Sequence, residues 1–272
     1  MTVKPFLKWV GGKRSLLPEI TKRLPSEFAT YREPFLGGGA VFLDIGRHSN
    51  GYAYLADANA HLINAWCAVR DNPEDVIAEL RIHAERHADE DYYYFVRDKA
   101  VADTNEEYAA QFIYMNKTCF NGLYRVNNKG QFNNGRGKQK HPNICDEDTI
   151  RAVSAVLQNT VITATDFGNT PVERGDFVYC DPPYDMAINA YTVGGFDRVE
   201  HRRLFSVVME WVEDGANVML SNANTDYIRR LYSADRFLLH PVKGRRSLGG
   251  NIESRQSKSD LLITSYAVEC GD

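Results

Sequence analysis

The chain has few cysteines and no long hydrophobic run. It contains five cysteines in 272 residues, and no two of them have C-x-x-C spacing. An odd number of cysteines without paired spacing disfavours a disulfide framework, a structural zinc site and the zinc-binding motif of nucleobase deaminases. No apolar run reaches the roughly 18 residues of a membrane span, and the N-terminus has no signal-peptide pattern. These absences predict a cytoplasmic protein with no metal ion and no membrane partner.

Basic residues are concentrated in three segments of an otherwise acidic chain. The formal net charge is −4, which is unusual for a protein that binds nucleic acid. Lysine and arginine cluster in residues 1–23, 117–145 and 243–258, where acidic residues are almost absent. Basic patches on an acidic body favour a polyanionic ligand that approaches one face. The alternative is that these segments are merely solvated loops.

Short β-branched and aromatic runs alternate with helical patterns along the chain. This alternation predicts an α/β fold, a doubly wound, Rossmann-like mixed sheet of about seven strands. No helical pattern separates the last two strands, so we expect them to form an antiparallel pair. The predicted strands are residues 31–36, 52–56, 160–164, 176–180, 216–221, 236–242 and 260–267, and the predicted helices lie near 14–23, 59–69, 73–88, 106–116, 146–157, 199–213 and 224–232.

The interval between the second and third predicted strands is too long for one crossover. Residues 57–159 begin with helical patterns and continue into a segment rich in Asn, Gly and Lys. They are predicted to hold the crossover and an inserted, mainly helical subdomain with a basic, glycine-punctuated hairpin at about 117–141. Residues 1–56 and 160–272 would then form the sheet domain.

The tetrapeptide Asp181-Pro182-Pro183-Tyr184 follows a short apolar run that is typical of a buried strand. Its residue types suit methylation of an exocyclic amino group, whose lone pair is delocalised into the base. Asp181 and the carbonyl of Pro182 would accept the two N–H bonds, Pro183 would hold that carbonyl in an extended conformation, and Tyr184 would stack on the base. The alternative is an ordinary proline-rich turn.

A glycine turn follows the first predicted strand, in the segment Glu33–Phe42. Three successive glycines would let the backbone approach a ligand at the switch point of an open sheet. The spacing matches neither a dinucleotide fingerprint nor a phosphate-binding loop. Asp57 ends the next strand, about twenty residues on, where a carboxylate can accept ribose hydroxyls. Together with the tetrapeptide, these residues predict S-adenosylmethionine as the methyl donor.

Five motifs occur together and in one order along the chain. They are Phe6–Lys13 (FLKWVGGK), Glu33–Gly39 (EPFLGGG), Phe120–Arg125 (FNGLYR), Asp181–Tyr184 (DPPY), and Arg245–Ser247 followed by Gly249–Asn251. With these motifs the chain resembles the Dam-type DNA adenine methyltransferases over essentially its whole length. The resemblance implies an S-adenosylmethionine-dependent catalytic domain and a DNA target-recognition subdomain at 57–159.

The resemblance also implies roles for residues around the donor. Trp9 and Lys13 would line the donor site, and Phe35 and Gly37 would shape it. Asp57 would hold the ribose, and Asp181 would border both the donor and the target base. Asp166 and Phe167 would flank the adenine ring of the donor. The residues themselves leave two alternatives open, a buried core aromatic at Trp9 and a solvated helix start at Lys13.

Further residues are implied for reading double-stranded DNA within a GATC-like site. Arg125 would read a guanine edge, for which a bidentate donor is suited, and Lys8 another guanine. Leu123 would contact a thymine methyl group, while Phe120 and Asn121 would fill the stack as the adenine flips out. The side chains expected to contact phosphates, and so to position the protein, are Asn133, Lys138 and Lys140.

Two departures from the family pattern bear on sequence preference. Phe120 stands where the best-known members carry tyrosine, and Gly135 occupies a position often held by proline. The first change keeps the stacking surface and loses a hydroxyl, and the second loosens the loop. The segment at 187–196 has the glycines and aromatics of a loop that closes over a flipped base. We expect a monomer, or a weak dimer on DNA.

Three other functions stay open from the residues alone. Methylation of cytosine N4 would use the same tetrapeptide. A protein or RNA methyltransferase would not be expected to carry Leu123 and Arg125 in this context. A DNA-binding relative that has lost catalysis is disfavoured by the intact set of Trp9, Lys13, Asp57 and Asp181.

Overall fold

The computed structural model describes residues 3–46, 52–127, 130–185, 196–233, 235–243 and 259–268. In these ranges a seven-stranded mixed sheet has the order β3-β2-β1-β4-β5-β7-β6. The strands are β1 Tyr31–Glu33, β2 Ala53–Asp57, β3 Thr160–Ala164, β4 Phe177–Cys180, β5 Asn217–Ala223, β6 Leu238–Val242 and β7 Asp260–Thr264. The helices are α1 Leu17–Thr21, α2 Ala40–Asp44, α3 Ala60–Asp71, α4 Pro73–Arg86, α5 Glu90–Asp98, α6 Asn105–Thr118, α7 Glu147–Leu157, α8 Arg198–Glu213 and α9 Asp226–Leu231.

The sheet is parallel from β3 to β5 and antiparallel beyond it. β1 pairs with both β2 and β4, so the strand order reverses between β1 and β4. β7 runs antiparallel to β5 on one side and to β6 on the other. The predicted α/β class, the Rossmann-like mixed sheet and the antiparallel last pair are therefore confirmed. Pro241 lies in β6 at the edge of the sheet, where a missing N–H is tolerated.

The lengths of β1 and β5 differ from the sequence prediction. β1 ends at Glu33 rather than continuing to Leu36, because Pro34 follows and the chain turns into the glycine segment. β5 extends past the predicted end, to Ala223. The continuation brings Ser221 and Asn222 level with the end of β4, where they become part of the site.

The helix α5 was not predicted from the sequence. α5 covers Glu90–Asp98, whose Tyr-Tyr-Tyr-Phe run has no clear helical period. The available signal was the cap: Asp89 accepts a hydrogen bond from the amide N–H of Asp91, and Glu90 and Asp91 lie in the first turn. The side chains of Tyr92 and Tyr93 are buried against the rest of the helical layer.

Five helices, α3 to α7, lie between β2 and β3. Their apolar side chains share one continuous core with the sheet: Trp66 of α3 and Phe112 of α6 belong to the same buried cluster as Tyr31 and Phe177. A second cluster covers the other part of the sheet under α8 and α9. The helical segment is thus packed directly on one face of the sheet, next to the carboxyl ends of the strands.

Candidate active site

The candidate site lies at the carboxyl ends of β1, β2 and β4. In an open parallel sheet, the crevice at the reversal of strand order is where ligands bind. Here the reversal falls between β1 and β4, so the glycine turn after β1 and the tetrapeptide after β4 flank it. Asp57 at the end of β2 completes the row.

Two tryptophan rings fill the space beside the glycine turn. A Cβ added at Gly37 would lie 2.8 Å from Cδ1 of Trp9, and one added at Gly38 would lie 2.8 Å from Cβ of Trp9. At Gly39 it would lie 2.6 Å from Cη2 of Trp66, whose indole Nε1 donates to the carbonyl of Gly37 at 3.1 Å. Gly37 and Gly39 also have positive φ values of 48° and 65°. The glycines therefore serve packing as well as the ligand approach expected from sequence.

Asp57 is fixed by two backbone amides. Its Oδ2 accepts the N–H of Gly37 at 3.0 Å, and its Oδ1 accepts the N–H of Asn59 at 2.9 Å. Burial raises the pKa of this carboxyl group, and the two amide donors oppose that rise. Asn59 also caps α3 by accepting from the N–H groups of His61 and Leu62. The carboxylate of Asp57 thus joins the glycine turn after β1 to the end of β2.

Asp181 carries a converging set of donors on one carboxylate oxygen. Nζ of Lys13 lies 2.7 Å from Oδ1, and the hydroxyl of Ser221 donates to the same Oδ1 at 2.7 Å. Nζ of Lys13 also donates to the carbonyl of Gly11 at 2.6 Å, which ties it to its own turn. Burial raises the pKa of Asp181, and the nearby Lys13 and Ser221 oppose this rise. Lys13 is therefore buried, which rules out the alternative of a solvated side chain at a helix start.

The other members of the tetrapeptide lie as the sequence order requires. Pro182 is buried and Pro183 is half-buried. The ring centroid of Tyr184 lies 4.6 Å from Nζ of Lys13, so the cation rests over the aromatic face. Lys13 therefore contacts both ends of the tetrapeptide.

The residue after the tetrapeptide is anchored on three sides. Asp185 is buried, and its amide N–H donates to Oδ1 of Asn222 at 3.0 Å. Its carboxylate accepts the hydroxyl of Thr225 at 2.8 Å and Nε of Arg198 at 3.3 Å. The turn that carries the tetrapeptide is thus held at both ends by β5, through Ser221 and Asn222.

A third carboxylate, Glu33, is buried between the other two. The phenol of Tyr31 donates to its Oε2 at 2.8 Å. Burial raises the pKa of Glu33 to about 8, and the charges of Asp181 and Asp57 add to the rise. With a pKa of about 8, Glu33 is mostly protonated at neutral pH, so Asp57 and Asp181 are the two carboxylates whose negative charge favours a positively charged ligand in the crevice.

Asp166 and Phe167 are adjacent at the end of β3 and lie against Phe35 and Arg203. The rings of Phe167 and Phe35 stack with centroids 5.4 Å apart. Arg203 of α8 binds Asp166 through two hydrogen bonds of 2.7 Å, and its guanidinium lies 3.9 Å from the centroid of Phe167. The Arg203 guanidinium lowers the pKa of Asp166, helped by the N–H of Gly168.

The N-terminal segment is joined to the end of α6 by a reciprocal pair of hydrogen bonds. The N–H of Lys8 donates to Oδ1 of Asn116 at 2.8 Å, and Nδ2 of Asn116 donates to the carbonyl of Lys8 at 2.7 Å. Trp9 stacks on Tyr124, with ring centroids 5.8 Å apart. Both residues of the N-terminal segment thus contact the region predicted to read DNA.

That region presents several predicted residues to solvent. Phe120 is 48% exposed, Asn121 and Arg125 are exposed, and Leu123 is half-buried. Asn121 has a left-handed backbone with φ of 57°, which asparagine tolerates better than most residues. Nζ of the exposed Lys8 donates to the carbonyl of Lys117 at 3.1 Å and to the side chain of Gln139 at 3.0 Å. These bonds would have to exchange for Lys8 to reach a base.

The rest of the predicted hairpin divides into outward and inward residues. Asn133, Lys138 and Lys140 are exposed, as phosphate contacts require. Arg136 instead turns inward and donates to the carbonyl of His87 at 2.9 Å. Asn134 donates to the carbonyls of Phe120 and Leu123, both at 2.9 Å, and so ties the hairpin to the predicted reading segment.

Some predictions fall outside the described residues. They are the closing loop, which the structure describes only at Phe196, and the motifs Arg245–Ser247 and Gly249–Asn251. Nearly all of the third basic segment, 244–258, falls there as well.

Three contributors to the site were missed from the sequence. Ser221 and Asn222 lie at a strand end, and Arg203 lies in the first turns of α8. The available signal for Ser221 and Asn222 was topology, because polar residues at the end of β5 must meet the end of β4 in a parallel pair. For Arg203, no sequence pattern distinguishes it from the neighbouring Arg202.

The described ranges contain neither a cluster of metal-binding side chains nor a helix that could span a membrane. In that part of the chain no group of three or more His, Cys, Asp or Glu side chains is placed to hold a metal ion. Within the same ranges, every helix is too short or too polar to cross a membrane.

Comparison with known proteins gives consistent matches. Residues 9–248 match the family model of D12 class N6 adenine-specific DNA methyltransferases. Type II methyltransferase M1.LlaDCHI of Lactococcus lactis subsp. cremoris is 36% identical over 280 residues, covering 98% of this chain and 96% of the relative. Type II methyltransferase M.MjaIII of Methanocaldococcus jannaschii is 35% identical over 291 residues, covering 98% and 100%. The DNA adenine methylase of Haemophilus influenzae is 34% identical over 271 residues, covering 95% and 92%.

Proposed function

We propose a specific reaction, and the residues that carry it out, for this chain, which belongs to the D12 class of N6 adenine-specific DNA methyltransferases. The enzyme transfers a methyl group from S-adenosylmethionine to N6 of a flipped adenine in double-stranded DNA, within a GATC-like site. The observation that carries the proposal is the buried Asp181, held by Lys13 and Ser221 beside the glycine turn.

The residues around the crevice fit a cationic methyl donor. Asp57 and Asp181 place two carboxylates there, and the hydrogen bonds that each accepts oppose the rise in pKa that burial causes, while the neighbouring Glu33 is mostly protonated at neutral pH. S-adenosylmethionine supplies an electrophilic methyl group on a positively charged sulfur. Asp57 would hold the ribose, and Phe35 with Phe167 would bound the adenine ring. Trp9 and Gly37 would close the floor of the site.

The tetrapeptide positions the target amino group. Asp181 and the carbonyl of Pro182 accept its two N–H bonds and draw the nitrogen toward tetrahedral geometry. The lone pair then points at the methyl group, which is a contribution of orientation and electrostatics. Tyr184, with Lys13 over one face, offers its other face to the flipped base. Pro183 fixes the backbone that presents the Pro182 carbonyl.

The exposed segment that follows α6, residues 120–125, reads the DNA. Arg125 donates two hydrogen bonds to a guanine, and Leu123 contacts a thymine methyl group. Phe120 and Asn121 occupy the gap that the flipped adenine leaves. Lys8 binds a second guanine, while Asn133, Lys138 and Lys140 bind phosphates and set the register. In this assignment residues 57–159 hold the target-recognition subdomain, and residues 1–56 and 160–272 the catalytic domain.

The protein acts as a monomer, or as a weak dimer on DNA, in the cytoplasm. A DNA substrate agrees with that location. Cytosine N4 as the target is disfavoured by the N6 adenine specificity of the family.

Mapping of methylated bases tests the proposal. The protein is incubated with mixed-sequence double-stranded DNA and tritiated S-adenosylmethionine, and the modified positions are then mapped. We expect N6-methyladenine in GATC-like sites. Methylation of cytosine alone, or of adenine without any sequence preference, would contradict it.

A single substitution tests the role of Asp181. Asp181→Asn should abolish methyl transfer and leave DNA binding largely intact, because the neutral amide has a single acceptor oxygen, whereas the carboxylate has one for Lys13 and Ser221 and a second for the target amino group. The exposed Asp226→Asn, in the first turn of α9, serves as the matched control and should keep full activity. Normal turnover by Asp181→Asn would overturn the assignment.

A further inference from the structure

Ser221 lies directly beside Asp181 on the neighbouring strand. In the parallel pair of β4 and β5, Tyr179 is aligned with Met219 and Cys180 with Leu220. The next residues along are Asp181 and Ser221, so the register itself brings them together. The side chain of Ser221 is fully buried, and its hydroxyl donates to Oδ1 of Asp181 at 2.7 Å.

A second hydroxyl orients the first. The phenol of Tyr179 donates to Oγ of Ser221 at 3.1 Å. A serine hydroxyl has one hydrogen to donate and can accept others. Because Tyr179 supplies a hydrogen to Oγ, the hydrogen of Ser221 itself is directed at Asp181. The result is a one-way chain from Tyr179 through Ser221 to the carboxylate, in a buried setting where hydrogen bonds reinforce one another.

Within the described residues, both close contacts of the Asp181 carboxylate fall on Oδ1. The ammonium of Lys13 and the hydroxyl of Ser221 approach that oxygen from the N-terminal segment and from β5 respectively. A carboxylate held at one oxygen by two donors from different elements cannot rotate freely about its Cβ–Cγ bond. The second oxygen, Oδ2, therefore keeps a fixed direction.

We propose that Ser221 is a positioning residue, which locks the Asp181 carboxylate so that Oδ2 accepts the N–H of the target amino group. The inference rests on the proposed role of Asp181 and goes beyond it, because it assigns the two oxygens different tasks. Oδ1 accepts from Lys13 and Ser221 of the protein, and Oδ2 accepts from the substrate. Tyr179 acts indirectly, because it orients the hydroxyl of Ser221.

The same hydroxyl favours the ionised form of Asp181, together with Lys13. Burial raises the pKa of Asp181, and the bond from Ser221 opposes that rise. Removal of the hydroxyl therefore raises the pKa further, and the pH below which the enzyme loses activity should move upward. Among the described residues, the titratable and charged groups that interact with Asp181 are Lys13, Glu33, Tyr179, Cys180 and Asp260, and Tyr184 lies against Lys13.

The test is the pH profile of single-turnover methyl transfer by Ser221→Ala. A hydrogen bond to a charged group contributes about 1.5–3 kcal/mol, so a loss of about tenfold or more in rate is expected at neutral pH. The acidic limb of the profile should shift to higher pH. The dissociation constants for unmodified DNA and for S-adenosylhomocysteine, measured by titration calorimetry, should stay within about twofold of wild type, well under the tenfold that a lost contact of 1.4 kcal/mol would produce.

Two further variants separate positioning from folding. Tyr179→Phe keeps the ring and the Ser221 hydroxyl but removes its orienting donor, so a smaller shift in the same direction is expected. Ser206→Ala removes an exposed hydroxyl that bonds only to the carbonyl of Arg202 among the described residues, and it should behave as wild type. Thermal unfolding of each variant is recorded in parallel.

The outcomes distinguish this inference from the proposed function. A folded Ser221→Ala protein with the wild-type rate and pH profile overturns the positioning role, provided that Asp181→Asn is inactive. Normal activity of Asp181→Asn overturns the assignment of Asp181 itself. If Ser221→Ala does not fold, an unchanged profile for Tyr179→Phe overturns the positioning role.

Discussion

Lys13 and Asp181 form a buried ion pair, with Nζ 2.7 Å from Oδ1 and side chains only 8% and 20% exposed. Removal of one partner of such a pair leaves an uncompensated charge, which costs about 3–5 kcal/mol. Lys13→Met should therefore lower the free energy of unfolding by about that amount at pH 8. Urea denaturation followed by circular dichroism measures it.

A double-mutant cycle isolates the pair. In the Asp181→Asn background no buried carboxylate remains at this position, so Lys13→Met should cost much less. Equal costs in both backgrounds would show that Lys13 contributes through packing and not through its charge.

The contact of Arg203 with Asp166 and Phe167 predicts weaker donor binding when Arg203 is removed. Arg203→Leu should lower the affinity for S-adenosylhomocysteine by about tenfold, because Asp166 loses both charge-assisted hydrogen bonds. The affinity for DNA should not change. Arg202→Leu, at an exposed position of the same helix, is the control. An unchanged donor affinity for Arg203→Leu would place the adenine ring elsewhere.

Gly37→Ala should destabilise the protein through two separate effects. Its φ of 48° strains any residue with a Cβ, which costs about 1–2 kcal/mol. The new methyl group would also lie 2.8 Å from Cδ1 of Trp9. Gly130→Ala, with φ of 76° and open space around it, isolates the strain, and Gly135→Ala, with open space and no positive φ, should be neutral. If Gly37→Ala costs no more than Gly130→Ala in urea denaturation, the tryptophan contact is unimportant.

Arg125 and Arg136 should respond in opposite ways to substitution by alanine. Arg125 is exposed, so Arg125→Ala should leave the melting temperature unchanged and reduce discrimination at one base pair by about 1–3 kcal/mol. Arg136 bonds to the carbonyl of His87 inside the helical layer, so Arg136→Ala should lower the melting temperature. Binding to oligonucleotides with single base changes, together with thermal unfolding, checks both. Equal sequence discrimination by wild type and Arg125→Ala would reject the reading role.

Glu33 predicts how stability depends on pH. Its pKa of about 8 in the folded protein lies above the ordinary value of 4.5, so the folded state holds a proton that the unfolded state has released between these pH values. Stability should therefore fall as pH rises from about 4.5 to 8, by up to about 1.4 kcal/mol per pH unit.

Glu33→Gln removes this titration. The variant should show a flatter dependence across the same window and a gain in stability at pH 8, measured by urea denaturation at several pH values. The exposed Glu27→Gln is the control and should follow the wild-type curve. A wild-type slope in Glu33→Gln would mean that another group carries the pH dependence.

The sequence predicted the positions of the strands far better than the details of the site. Hydrophobic periodicity located all seven strands, because buried strands require apolar runs whatever their neighbours. It could not show that Lys13 is buried, because nothing local marks a lysine that meets a carboxylate 168 positions away. Ser221 and Arg203 were missed for the same reason: their partners come from other elements.

The sequence located the glycine turn correctly but explained only part of the reason why glycines occupy it. The turn after β1 was predicted to serve a ligand, yet Trp9 and Trp66 fill the space where side chains at 37–39 would lie. Arg136 shows another limit of the sequence. Composition counts it with the basic segment 117–145, yet its side chain donates to a carbonyl inside the helical layer. A net charge summed over a segment does not report which side chains reach solvent.

The reciprocal hydrogen bonds between Lys8 and Asn116 have a thermodynamic consequence. They join the segment carrying Trp9 and Lys13 to the end of α6, from which the proposed reading segment departs. Any displacement of that segment by a bound donor should therefore be transmitted to the surface that is proposed to contact DNA. By thermodynamic linkage, if the bound donor changes the affinity for DNA by a given factor, bound DNA changes the affinity for the donor by the same factor. The two ligands of this enzyme should load cooperatively.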